Sequence, residues 1–122
     1  MKNLLIIDNS QYYINELEHS LKKHNVQVRG VLADEFIDKI KHPSEAAEFD
    51  LVLVDYDLGD VTCIDLKIGE YLREELAYRG PIVLISLHED FGPDATSISD
   101  HYNGTILRER KQYWNKIKKY LH

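Results

Sequence analysis

Apolar positions in this chain fall into blocks of two kinds. Continuous apolar runs of strand length stand at Leu4-Leu5-Ile6-Ile7, Leu51-Val52-Leu53-Val54 and Ile82-Val83-Leu84-Ile85. Runs this short and this apolar suit strands buried on both faces, as in a parallel sheet. Residues 26–29 alternate apolar and polar and give a further strand, and residues 105–107 give a weaker fifth. Between these runs the spacing changes to that of a helix. Ile14, Leu17 and Leu21 fall at i, i+3 and i+7, on one helix face, with Ser10 placed to cap it. Phe36, Ile37 and Ile40 mark a shorter second helix, expected to end near His42 because Pro43 follows. Ile64, Ile68, Leu72 and Leu76 mark a third, stopped by Gly80-Pro81. A short helix is expected after Gly92-Pro93, and Trp114, Ile117 and Leu121 mark the last.

Strand and helix thus alternate about five times, which predicts an α/β fold: a doubly wound, parallel, five-stranded sheet with helices on both faces. With 122 residues and no linker or repeat, the expectation is a single domain over 1–122. Sites in such sheets lie at the carboxyl ends of strands, where the strand order reverses. Asp8-Asn9-Ser10 follows the first apolar run, Asp55-Tyr56-Asp57 the third, and Ser86-Leu87-His88 the fourth, while Arg108 follows the fifth strand. The fold therefore gathers these groups from distant parts of the chain to one edge. A carboxylate at the position of Asp55 can cap the turn after the strand, attack phosphorus as a nucleophile, or help to hold Mg²⁺. Charge builds up when a carboxylate meets a phosphoryl group, so such chemistry needs cations and hydrogen-bond donors nearby. Asp8 and Asn9 offer oxygen ligands to a metal, Ser86 a hydroxyl donor, and Arg108 a bidentate fork.

Composition narrows the function classes. The formal charge is −6, which argues against nucleic acid as the main partner. A locally basic stretch over 108–119 reads as a solvated helix face. No apolar run approaches the roughly 20 residues of a membrane helix. The lone Cys63 cannot form an internal disulfide and has no CxxC or histidine partner in sequence, so a cytoplasmic protein with an inert thiol is expected. The six histidines show no metal-binding spacing.

The strand-end residues resemble those of the receiver domain of bacterial response regulators, over essentially the whole chain. Ile7-Asp8-Asn9 matches the acidic pair after the first strand. Asp55, in Asp50-Leu51-Val52-Leu53-Val54-Asp55, matches the phosphoacceptor, and Ser86 matches the hydroxyl residue that ends the fourth strand. The resemblance implies a flavodoxin-like, receiver-type fold. It also implies Mg²⁺ held by Asp8, Asn9, Asp55 and the Asp57 backbone carbonyl. A histidine kinase or phosphotransfer protein would be the phosphodonor, and Asp57 and His88 would modulate phosphoryl lifetime. Departures are equally specific. Asn9 replaces the second acid, which weakens metal binding, and Arg108 replaces the family's lysine. Glu109 stands where proline is usual. Thr105 occupies the aromatic switch position, with Tyr102 near but out of register. Leu58-Gly59-Asp60 lacks the usual proline.

The expected function is that of an atypical stand-alone receiver in phosphorelay signalling, rather than an enzyme. The alternative is a phosphate-independent pseudo-receiver that acts as an adaptor. A remote alternative is a small phosphatase with a DxD motif at Asp55-Tyr56-Asp57, but that motif normally stands on the first strand. A stand-alone receiver is expected to act through binding, and the surface of the last helix, with Tyr113, Trp114 and Tyr120, is a candidate interface for a partner or a homodimer.

Overall fold

The computed structural model describes residues 1–58, 60–86, 101–107 and 113–121. Its strands are β1 (Lys2–Asp8), β2 (Val26–Leu32), β3 (Leu51–Asp55), β4 (Ile82–Ser86) and β5 (Gly104–Leu107). They form one sheet in the order β2-β1-β3-β4-β5, with every pairing parallel. The helical segments are α1 (Gln11–Lys22), α2 (Phe36–Lys39), α3 (Pro43–Ala46), α4 (Ile68–Glu70) and α5 (Tyr113–Ile117). A π-helical turn, Tyr71–Glu75, continues α4, and a 3-10 turn, Lys118–Tyr120, continues α5. None of the described helices is long and apolar enough to cross a membrane.

The apolar runs become central strands because both of their faces are covered. Successive side chains of a strand point to opposite faces. Leu5, Ile7, Val52, Val54, Ile82 and Leu84 accordingly enter one core with Phe36, Ile40, Ile68 and Leu72. Leu4, Ile6, Leu51, Leu53, Val83 and Ile85 enter the other with Ile14, Leu21 and Ile117. So α1 and α5 cover one face, and α2 to α4 cover the other. The predicted sheet is present, and β2 extends the expected 26–29 segment to Leu32. Being an edge strand with a half-exposed face, β2 keeps the alternation that made it hard to delimit.

Ser10 caps α1 as expected, its hydroxyl accepting from the Tyr13 amide at 3.4 Å. Two helices depart from their expected limits. The second ends at Lys39, and Pro43 opens α3 rather than closing the preceding helix. Proline suits a first helical position, where no amide partner is required. The Glu45 carboxylate then accepts from the His42 amide at 3.1 Å. The third pattern, expected from Ile64, becomes a series of turns before α4, with Lys67 in the left-handed region at φ 56°. Its helix ends at Glu75, with Leu76 as the C-cap, rather than at Gly80-Pro81. Ala77 turns left-handed at φ 53°, and the Tyr78 amide donates back to the Leu72 carbonyl at 2.8 Å.

A cluster of hydrogen bonds on one arginine, with no local sequence signal, ties this helix to the sheet. The Arg73 guanidinium donates to the carbonyls of Tyr78 (2.9 Å), Gly80 (2.6 Å) and His101 (3.2 Å), and to Asn103 Oδ1 at 2.7 Å. The same Asn103 oxygen accepts from the Ile82 amide at 2.8 Å, where β4 begins. Burial pushes the Arg73 pKa down, which is the cost of this position. Lysine keeps the charge but not the planar fork. Arg73→Ala is expected to lower unfolding stability by about 2 kcal/mol, and Arg73→Lys to recover less than half of the loss. Urea unfolding midpoints check both.

Candidate functional site

Register sets the site. Ile7 pairs with Val54, and Asp8 and Asp55 follow directly on the two neighbouring strands. Asp55 in turn pairs with Ile85, and Ser86 follows. Adjacent strands run about 4.8 Å apart, so these three residues share one stretch of the carboxyl edge. The strand order reverses between β1 and β3, which is where such sheets open a crevice.

Burial singles out the same three. Among the described residues, the buried polar or charged side chains are Asp8, Asp55 and Ser86, at 1%, 7% and 4% exposure. Carboxylates are seldom buried to this degree without a compensating partner or a chemical role. One partner of Asp8 is the Ser10 amide, which donates to its Oδ1 at 3.0 Å. The Asp8 carbonyl accepts from the Ala33 amide at 2.9 Å, fixing the turn after β2 against the end of β1.

The other predicted positions divide. Asn9 is exposed beside Asp8, and the Asp57 side chain is exposed past Asp55. Asp57 pairs with Thr62 in an isolated antiparallel bridge. The two hydrogen bonds of that bridge run through its neighbours: Cys63 N to Tyr56 O, and Leu58 N to Val61 O, each 3.0 Å. His88 and Arg108 lie outside the described residues, as do Gly59, Glu109 and the stretch after Gly92-Pro93. Among the described residues, no group of three or more His, Cys, Asp or Glu side chains is arranged to hold a metal ion. The donors expected from sequence are the Asp8 and Asp55 carboxylates, the Asn9 amide and the Asp57 backbone carbonyl. These are all oxygen donors, the kind a hard cation such as Mg²⁺ takes.

Tyr102 is the residue that sequence reasoning left aside. It is buried just before β5, and its hydroxyl accepts from the Gly69 amide at 3.0 Å. The same hydroxyl donates to Cys63 Sγ at 3.7 Å. A Cβ at Gly69 would stand 2.8 Å from the Tyr102 ring, so only glycine admits the ring there. Tyr102 thus clamps the segment that leads away from Asp55. The contacts span 33 and 39 residues, so no local pattern signals them. Burial pushes the Cys63 thiol up to about 12, and the Asp55 charge adds to the rise while the Tyr102 hydrogen bond opposes it. A thiol held protonated is a poor nucleophile.

The sequence matches no protein-family model and no curated protein. Solved structures do match. The response regulator TrrA of Thermotoga maritima, in complex with Mg²⁺-BeF, superimposes with a TM-score of 0.75 at 18% identity, covering 99% of this chain and 100% of that one. A response regulator receiver protein from Burkholderia phymatum gives 0.76 at 14% identity, covering 99% and 95%. A structure of histidine kinase ThkA in complex with the response regulator TrrA gives 0.73 at 18%, covering 100% of this chain and 100% of the matched chain. The likeness in fold is to receiver domains, end to end.

Buried acids give this fold an alkaline limit. Burial also raises the phenols of Tyr78 and Tyr102 above their usual 10.0. In the unfolded chain the Cys63 thiol titrates at its ordinary 9.0, while in the fold it keeps its proton to about 12. Above pH 9 the folded state therefore binds more protons than the unfolded one. Stability should be intact below about pH 9 and fall steadily as pH rises towards 12. Urea midpoints at stepped pH check this, and Tyr102→Phe should flatten the alkaline slope.

Proposed function

We propose that this chain is a receiver that takes a phosphoryl group on Asp55 from a histidine kinase or phosphotransfer protein. In this role it acts in cytoplasmic phosphorelay signalling and not as an enzyme. The observation that carries the reading is the coincidence of burial and register. The buried polar and charged side chains of the described residues are the ones that end three adjacent strands. The fold supports it, and one similar structure is a response regulator in complex with a histidine kinase.

In the proposed transfer, an Asp55 carboxylate oxygen attacks phosphorus. The new P–O bond forms as the P–N bond to the donor imidazole breaks, and the nitrogen keeps the electron pair. Strand β3, buried along its whole length, holds the attacking group in place. Ser86 donates a hydrogen bond to a phosphoryl oxygen, and Arg108 pairs with another. Asp8, Asn9, Asp55 and the Asp57 carbonyl would hold Mg²⁺. When bound, the ion offsets negative charge on the phosphoryl oxygens. A similar structure was solved with Mg²⁺-BeF, which supports a metal in this place. Asn9 carries one charge fewer than an acid would, so the affinity is expected to be weak. His88 would act on the lifetime of the phosphoryl group.

The substitution at Asn9 also favours a second reading, a phosphate-independent adaptor with the same fold. One experiment separates the two. The protein is incubated with a small phosphodonor and Mg²⁺ and weighed intact. A labile adduct on Asp55, released by hydroxylamine, is expected, absent from Asp55→Ala and formed about 100-fold more slowly in Ser86→Ala. No adduct at any Mg²⁺ concentration would leave the adaptor. Turnover of an aryl phosphate that vanishes in Asp55→Asn would instead favour the phosphatase.

A further inference from the structure

Next to the strand ends lies a feature that phosphotransfer does not use. An open groove of about 430 Å³ runs from Asn9 past Asp34 and Ile37 to Leu58, Val61 and Leu66. Its floor includes the buried Phe36 and Ile68. Its rim is different. Ile37, Val61 and Leu66 are 54%, 37% and 40% exposed, and they are half of the large hydrophobic side chains exposed among the described residues. Scattered exposed apolar residues are ordinary, but three gathered on one groove mark a contact surface.

The charge around the groove is one-sided. Residues 32–40 and 57–71, which frame it, contain seven acids (Asp34, Glu35, Asp38, Asp57, Asp60, Asp65 and Glu70) and two bases (Lys39 and Lys67). That is a net −5 in the two segments that supply most of the groove lining, and Asp34 itself lines the groove. One of the two bases, Lys39, is already paired with Glu35 at 3.0 Å.

We propose that this groove docks an amphipathic helical segment of another protein, with large apolar residues on one face and lysine or arginine at its flanks. The apolar face would fill the groove between Ile37 and Leu66, and the flanking cations would meet the acidic frame. Competing occupants fit less well. Anionic lipid and nucleic acid are repelled by the acids. A small ligand would leave the protruding rim residues uncovered. A second copy brings its own net negative charge, and its last helix already buries Ile117 in its own core and stacks Trp114 on His24 at 4.2 Å. The groove shares Asn9 with the proposed metal site, but Ile37, Val61 and Leu66 take no part in the phosphoacceptor chemistry, so either reading can fail alone.

The test uses the full chain and three fluorescein-labelled helical peptides with one leucine face and lysine, glutamine or glutamate flanks. Fluorescence polarisation at low and high salt reads binding. The lysine-flanked peptide should bind at least about tenfold more tightly than the glutamate one, with salt removing the difference. Ile37→Ser combined with Leu66→Ser should weaken binding by about tenfold or more, and Asp34→Asn with Asp38→Asn should reduce the preference for lysine flanks. These residues are exposed or half-exposed, and circular dichroism confirms the fold of each variant. Tyr12→Ser, on the exposed face of α1, should bind as wild type. Equal binding of all three peptides, or binding insensitive to the groove variants, would overturn the proposal. So would self-association in sedimentation that Ile37→Ser abolishes, because the occupant would then be a second copy.

Discussion

A strand covered on both faces has room for polar side chains only where it ends. That constraint governs this molecule. All five residues of β3 are buried, and so are all five of β4. In β1 the last five residues are buried as well. Alternate side chains of these strands fill two separate cores, so a charged group inside any of them would face hydrocarbon on whichever side it pointed. The carboxyl edge is the first place where the backbone meets other polar groups. Asp8, Asp55 and Ser86 stand there, and their burial is tolerable because amides and neighbouring polar groups converge on the same edge, as the Ser10 amide does on Asp8.

The segment after Asp55 carries that edge outward. Tyr56 and Leu58 are pinned by the bridge to Val61 and Cys63, and Cys63 and Gly69 are pinned by Tyr102. Leu58 packs in the core and also lines the acidic groove. The proposed acceptor, the residues that Tyr102 holds and one wall of the groove therefore follow one another along the chain.

Much of this could be read from the sequence, for a physical reason. Central strands need uninterrupted apolar runs, and polar residues directly after them fall at the edge by geometry alone. That is why Asp8, Asp55 and Ser86 were legible. Helices on the second face were less so. Ile64, Ile68, Leu72 and Leu76 do face the core, but Lys67 and Ala77 in left-handed conformations break the run, and neither residue type advertises it. Pro43 was read as a stop because proline ends helices, yet it equally begins them. Arg73 and Tyr102 act through contacts with segments far away in sequence, and their roles exist only once the sheet has formed.

The central claim is that Asp8 and Asp55 form one site able to organise a cation beside the proposed acceptor. Amide NMR during a Mg²⁺ titration tests it most directly, with no need for a phosphodonor. Saturable shifts are expected, confined to the ends of β1 and β3 and the turn through Asp57, at millimolar Mg²⁺ or above, and lost in Asp8→Asn. Shifts that are absent, or that spread over the acidic surface and persist unchanged in Asp8→Asn, would contradict it.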